Sequence, residues 1–351
     1  MGERSGLGTG AAYAAHPHDM NSDLPSGVYW RSAQADDAVA LLKFIQLAAQ
    51  AQNSTATTTL HDIEALFQNP YFNVEHDSRL MLLPTDSTET IIGAAWVLVN
   101  QNTAELWFQT HPHIEQTAQV EEALFAWCFV RGCQWLNAST NSDLSPSTHW
   151  LYGISWQDDH QRCNLFLHYG FYPLRFFAKM QQELAPLVNT PLIVPTLEPY
   201  ISIVPFEITH SELVRQAYNE IFQEDWHYHY IDVDEWQRDY IGKHGFFPQL
   251  SFTAWCGEEM VGFSLNHVLG EYTPSLQSVS GHITAIGVKP TWRKRGIAKA
   301  LLHTSLNAFI AAGLPLSTLD VDSDNPNEAL GLYIKAGFIP LRMVVYFGKQ
   351  V

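Results

Sequence analysis

The sequence predicts an α/β chain built on mixed sheets, with two copies of one domain in tandem. Three observations predict it. First, Val288-Lys289-Pro290-Thr291-Trp292-Arg293-Lys294-Arg295-Gly296-Ile297-Ala298 joins a strand to a helix through a short basic glycine turn. Second, Leu319 to Phe338 reads as a strand, an Asn-Pro helix start and a helix stopped by glycine. Third, Gly170-Phe171-Tyr172-Pro173-Leu174-Arg175 is echoed by Gly337-Phe338-Ile339-Pro340-Leu341-Arg342. A repeat of about 165 residues is too long for a solenoid and suits a duplicated domain.

Each half then supplies matching elements in order. The first opens on a strand from Gly27 to Ser32 and a helix from Asp36 onward; the second opens on Ile201 to Glu207 and a helix from Ser211. Paired strands follow, Ile91 to Val99 with Thr103 to Gln109, and Leu250 to Cys256 with Met260 to His267. His111-Pro112 precedes a helix from Val120 to Phe129, as Lys289-Pro290 precedes the helix beginning near Ile297. Between them the second half has a strand from Gly281 to Val288, and after the helix another from Leu316 to Val321. Pro186, Pro191, Pro195 and Pro199 mark a linker. The resulting division is a tail over 1–26, a first domain over 27–188, a linker over 189–200 and a second domain over 201–351.

With 351 residues the chain is long enough for two cores, and 46% hydrophobic with 16% charged residues is the composition of an ordinary globular protein. No apolar run approaches the ~18 residues of a membrane span. The small, polar stretch from Gly6 to His18 lacks a secretory core, so a cytoplasmic location is expected. Cys128, Cys133, Cys163 and Cys256 show no paired spacing and are expected to be reduced thiols. A formal net charge of −17 argues against nucleic acid as a partner. His227-x-His229 lacks a third organised ligand, so no metal is expected.

Against that acidic background, Arg293, Lys294, Arg295 and Lys299 form the densest positive cluster. A turn at a helix N-terminus points unpaired backbone N–H groups and the helix dipole at one place, which suits phosphate. Gly296 lets backbone approach a ligand, and Ala298 keeps the first turn low.

Arg-x-x-Gly-x-Ala followed by a strand, Asn325, Leu332-Tyr333 and Gly337-Phe338 resembles the GNAT superfamily of acyl-CoA-dependent N-acyltransferases. The resemblance covers residues 200–351 and implies tandem GNAT folds, the N-terminal copy degenerate. It implies acetyl-CoA as co-substrate, with pyrophosphate on the turn from Lys294 through Gly296, Ile297 and Ala298 to Lys299, and Arg293 and Arg295 beside it. Pantetheine would lie between the strands Gly281–Val288 and Leu316–Val321, pairing with Ile286 and Val288; Asn325 would cap its helix and touch the cofactor. Tyr333 takes the position of the acid that protonates the leaving thiolate. His282, on a strand face read as shared with Thr284 and Ile286, suits the base; Asp232, Asp234 and Glu235 are rivals.

Aligned on the prolines, Glu115, Ala118 and Val120 stand where the second half has Arg293, Gly296 and Ala298, and Phe166 stands for Tyr333. A carboxylate opposes phosphate, and the phenyl ring has no hydroxyl. The acceptor is expected to be a small-molecule amine, cationic if Glu224, Asp225, Asp232, Asp234 and Glu235 line its entry. The tandem layout is also similar to mycothiol synthase-like proteins, which would make the acceptor a thiol-precursor amine. A sensor or scaffold that binds acyl-CoA without turnover is the remaining alternative. A monomer or homodimer is expected.

Overall fold

The computed structural model describes residues 26–52, 58–84, 89–100, 102–138, 149–226, 228–270, 279–324 and 329–351. The first half contains β1 (Tyr29–Arg31), α1 (Ala38–Ala51), α2 (Leu60–Phe67), α3 (Val74–Asp77), β2 (Ser78–Pro84), β3 (Glu89–Asn100), β4 (Thr103–Thr110), α4 (Thr117–Ala138), β5 (Trp150–Trp156), α5 (His160–His168) and β6 (Tyr172–Glu183). The second contains β7 (Ile201–Pro205), α6 (Ser211–Phe222), α7 (Val233–Trp236), β8 (Phe252–Cys256), β9 (Glu259–Leu269), β10 (Ser280–Val288), α8 (Ile297–Ala311), β11 (Leu316–Asp322), α9 (Ala329–Ala336) and β12 (Ile339–Gln350). The two series correspond element by element, apart from the short helices before the second strand, α2 and α3 in one half and α7 in the other.

Among the described residues the strands join one 12-stranded sheet in the order β1-β2-β3-β4-β5-β12-β6-β11-β10-β9-β8-β7. The halves exchange their last strands. β6 leaves its own half to pair with β11 of the second, from Phe177 opposite Asp322 to Glu183 opposite Leu316. β12 pairs with β5 of the first, Val344 opposite Trp156 and Gln350 opposite Trp150. At the centre β6 and β12 pair with each other.

Helices pack on both faces of the sheet. On one face α4 and α5 bury Phe125, Phe166 and Leu124, and α8 and α9 bury Leu302, Leu306, Phe309 and Tyr333. On the other, α1 and α2 pack over Leu80, Leu82 and Trp96, and α6 and α7 pack over Phe263 and Leu265. The linker lies along α8, where the Leu192 backbone exchanges hydrogen bonds with the Asn307 amide at 2.9 Å and His303 Nδ1 lies 2.7 Å from the Ile193 carbonyl oxygen.

Two parallel pairings are decisive. β10 pairs with β11 only from Ser280–Leu316 to Ile283–Leu319, and β4 pairs with β5 only from Thr103–Trp150 to Leu106–Gly153. Beyond those points the strands of each pair diverge, so each half contains the same opening.

Candidate active site

The second half's opening is bounded by a turn of unusual backbone. Lys294 has φ 64° and Gly296 φ 81°, both left-handed. Gly296 caps α8, and its carbonyl accepts from the Ala300 N–H at 3.0 Å. Alternating hand along the turn gathers N–H groups into a concave cradle of the kind that suits an anion, at the start of a 15-residue helix. The two arginines beside it are engaged. Arg293 donates to the Val288 carbonyl at 3.3 Å and meets the Glu224 carboxylate at 3.6 Å; Arg295 lies 3.5 Å from Glu198 and over the Trp292 ring. Ile297 is buried, and Ala298 packs at the edge of the same core. Asn325 lies outside the described residues.

β10 carries a bulge. Ile283 opposes Asn266 of β9 and Ala285 opposes Leu265, leaving Thr284 as the extra residue. Its effect is to shift the strand's alternation. His282 and Thr284 face the side carrying α6, Ala285 does too, and Ile286 turns to the side carrying α8. Strict alternation would put Ile286 on the face of His282 and Thr284; one inserted residue moves it to the opposite face.

His282 and Thr284 line a cavity of about 670 Å³ that spans both halves. From the second half come His267, Thr318, Asp320 and the 243–244 loop; from the first come α1 and α2, Trp107 and Trp156; the exchanged strands add Lys179 and Tyr346. His282 Nδ1 lies 3.0 Å from Thr318 Oγ1. Burial pushes its imidazole down to about 4, with Asp320 opposing and Lys179 and Lys243 assisting the shift. His282 is therefore neutral at physiological pH. Most charged groups of the wall have partners: Lys179 pairs with Asp320, Arg162 with Glu121 at 2.7 Å, and Asp62 accepts from Thr59 at 2.8 Å.

Tyr333 is buried on α9, and burial, with a contribution from Asp225, raises its phenol well above the usual tyrosine range, so it keeps its proton. Asp225 is itself raised, by burial first and then by Asp322 and Glu224, against Arg293.

None of the acidic segment's carboxylates lines the cavity, although Asp225 lies within electrostatic reach of Tyr333. Glu224 is drawn to Arg293, Asp232 caps α7 by accepting from the Glu235 N–H at 2.9 Å, Asp234 is exposed, and Glu235 binds His229 at 2.7 Å. His267 is hidden in the sequence, because alternation in β9 makes it look like core. Among the described residues no group of three or more His, Cys, Asp or Glu could hold a metal ion, and no helix is long and apolar enough to cross a membrane.

In the first half the corresponding opening is filled. The Arg162 guanidinium of α5 lies 4.5 Å from the centre of the Phe108 ring, just past the point where β4 leaves β5, and is bound to Glu121 of α4.

The acetyltransferase (GNAT) family model matches residues 212–338. A mycothiol acetyltransferase of Streptomyces scabiei is 35% identical over 107 residues, 29% of this chain and 32% of that protein, and one of Corynebacterium glutamicum is 33% identical over 95 residues, 27% and 30%. These matches thus span about a third of the relatives' length. Among solved structures, a GCN5-related N-acetyltransferase from Sphaerobacter thermophilus aligns with TM-score 0.69 at 20% identity, covering 93% of this chain and 96% of that one. A tandem GNAT protein from the clavulanic acid biosynthesis pathway aligns with TM-score 0.64 at 12% identity, covering 92% and 98%. Residues 212–338 thus carry an acetyltransferase (GNAT) domain, and the chain as a whole has the fold of tandem GNAT proteins.

Proposed function

We propose that this protein transfers an acyl group, acetyl in our reading, from acyl-CoA to the primary amine of a small molecule by direct attack. The observation that carries it is the opening between β10 and β11, with the anion-binding turn at its rim and a buried, protonated Tyr333 beside it. Pyrophosphate would rest on the N–H groups from Lys294 to Lys299, and pantetheine would run past Ile286 and Val288. The amine nitrogen forms the C–N bond, the C–S bond breaks, and Tyr333 protonates the departing sulfur. His282 receives the amine's surplus proton. The first half is a degenerate copy that binds no cofactor and serves as cavity wall: Arg162 and Glu121 occupy its opening.

The acceptor body is uncharged and partly apolar. The cavity presents Trp107, Trp156 and Tyr346, most charged side chains of its wall have partners, and none of the carboxylates from Glu224 to Glu235 is in its lining. The test is acetyl-CoA titration by calorimetry, with CoA thiol release measured against arylalkylamines, amino sugars and polyamines. One site per chain and turnover without preference for polyamines are expected. Two equivalent sites would overturn the degeneracy of the first half; binding without turnover of any amine would favour a sensor. A second reading, acetylation of a thiol-precursor amine, is supported by the likeness to mycothiol acetyltransferases; preference for an amino-sugar-linked cysteine amine would establish it.

A further inference from the structure

Thr284 stands exposed in mid-strand between buried Ile283 and Ala285. It is the bulged residue of β10, and it sits one position beyond the last pairing with β11. Its Oγ1 lies 2.7 Å from Nδ1 of His267, whose Nε2 lies 3.1 Å from the Tyr240 carbonyl oxygen. A carbonyl oxygen only accepts, so Nε2 carries the ring's hydrogen. His267 is buried, and burial holds its imidazole down to about 4, so it has no second hydrogen near neutral pH. Nδ1 is then a lone pair, and the Thr284 hydroxyl donates to it. Having committed its one hydrogen, the Thr284 oxygen presents only lone pairs to the cavity.

We propose that Thr284 positions the acceptor: its oxygen, fixed as an acceptor by the tautomer of His267, takes a hydrogen bond from the incoming N–H and aims the nitrogen at the thioester carbon. This rests on the acyl-transfer reading. Thr284 neither gains nor loses a proton, and His267 acts only through it as a positioning residue. The arrangement selects amines over alcohols. An amine commits one N–H to Thr284 and still has a hydrogen to give up, whereas an alcohol has one hydrogen in all.

The test uses the full chain with its histidine ring nitrogens labelled with ¹⁵N, free of ligand. His267 should show hydrogen on Nε2, and Thr284→Val should move its Nδ1 resonance toward that of an unbonded ring nitrogen, while Thr284→Ser should not. A hydrogen on Nδ1, or a resonance unmoved by Thr284→Val, would overturn the proposal without any need for turnover. With the best amine from the panel above, Thr284→Val should lower amine kcat/KM about tenfold or more and leave the acetyl-CoA KM unchanged, as expected for a lost hydrogen bond to a polar ligand. Thr284→Ser should recover most of that loss. Equal losses in the two variants, or a raised acetyl-CoA KM, would sink the positioning role. Normal spectra with no wild-type turnover would instead defeat the acyl-transfer reading, and the positioning role with it.

Discussion

Tyr333 and Phe166 occupy the same place in the two halves. The Tyr333 carbonyl accepts from the Phe338 N–H at 3.1 Å, the Phe166 carbonyl accepts from the Phe171 N–H at 3.0 Å, and left-handed Gly337 and Gly170 close the two helices alike. The backbones repeat, and one oxygen separates the side chains. Phe166 stacks on Phe347 of the exchanged strand β12, where a hydroxyl would have to be buried.

Removing that oxygen from the second half should remove the proton donor and keep the packing. Tyr333→Phe is expected to lower kcat by about 10²–10⁴-fold and leave acetyl-CoA affinity nearly unchanged. Steady-state kinetics beside calorimetry check this; unchanged turnover would reduce Tyr333 to a core residue.

Gly296 matters through its backbone. A Cβ there would meet only Leu197 Cδ2 at 3.9 Å, an ordinary contact, but φ +81° is strained for any L side chain. Gly296→Ala should cost about 1–2 kcal/mol of stability or distort the turn, and weaken acetyl-CoA binding either way. Thermal melting with and without acetyl-CoA measures both effects. Undiminished binding would move the phosphate site elsewhere.

The two cavity histidines make stability depend on pH with a defined sign. Unfolded imidazoles titrate near 6.5, whereas folded His267 and His282 stay neutral down to about 4. The unfolded chain therefore binds more protons in that window, and their contribution to stability is lost as pH falls from about 6.5 to about 4. Denaturant midpoints for His282→Ala should show a shallower fall across that range than the parent. For the same reason, an acid limb in kcat/KM due to His282 should lie well below neutrality. A limb at pH 6–7 that survives His282→Ala would assign the base to another group.

The Glu121–Arg162 pair gives a stability effect separable from the cofactor site. Both side chains are buried, so Glu121→Gln strands the guanidinium among Phe108 and its neighbours. A loss of about 3 kcal/mol is expected from urea unfolding, as for other broken buried pairs. Acetyl-CoA affinity should not change; a new cofactor site appearing in the first half would show that the pair alone had closed it.

Much of the second half was legible because its signals are local. Alternation locates β10 to within a residue, Gly337 ends α9 through its own φ, and the basic turn declares itself because a left-handed glycine and a helix start are neighbours in the chain. The Gly-Phe-x-Pro-Leu-Arg echo marked the duplication, since both copies close their helices the same way. Asp232 is an exposed carboxylate in an aromatic run, and only the folded chain shows that it caps α7 through the Glu235 N–H.

The sequence by itself determined the duplicated fold, the basic glycine turn at a helix start and the place of Tyr333 on its helix, all set by chemistry within a few residues. Tertiary structure alone decided that β6 and β12 change places, that a bulge at Thr284 turns Ile286 away from His282, and that His267 holds Thr284. It also decided that Lys179 of one half meets Asp320 of the other in a cavity both halves wall. These depend on register and pairing between segments far apart in the chain, where a shift of one residue reverses every side chain.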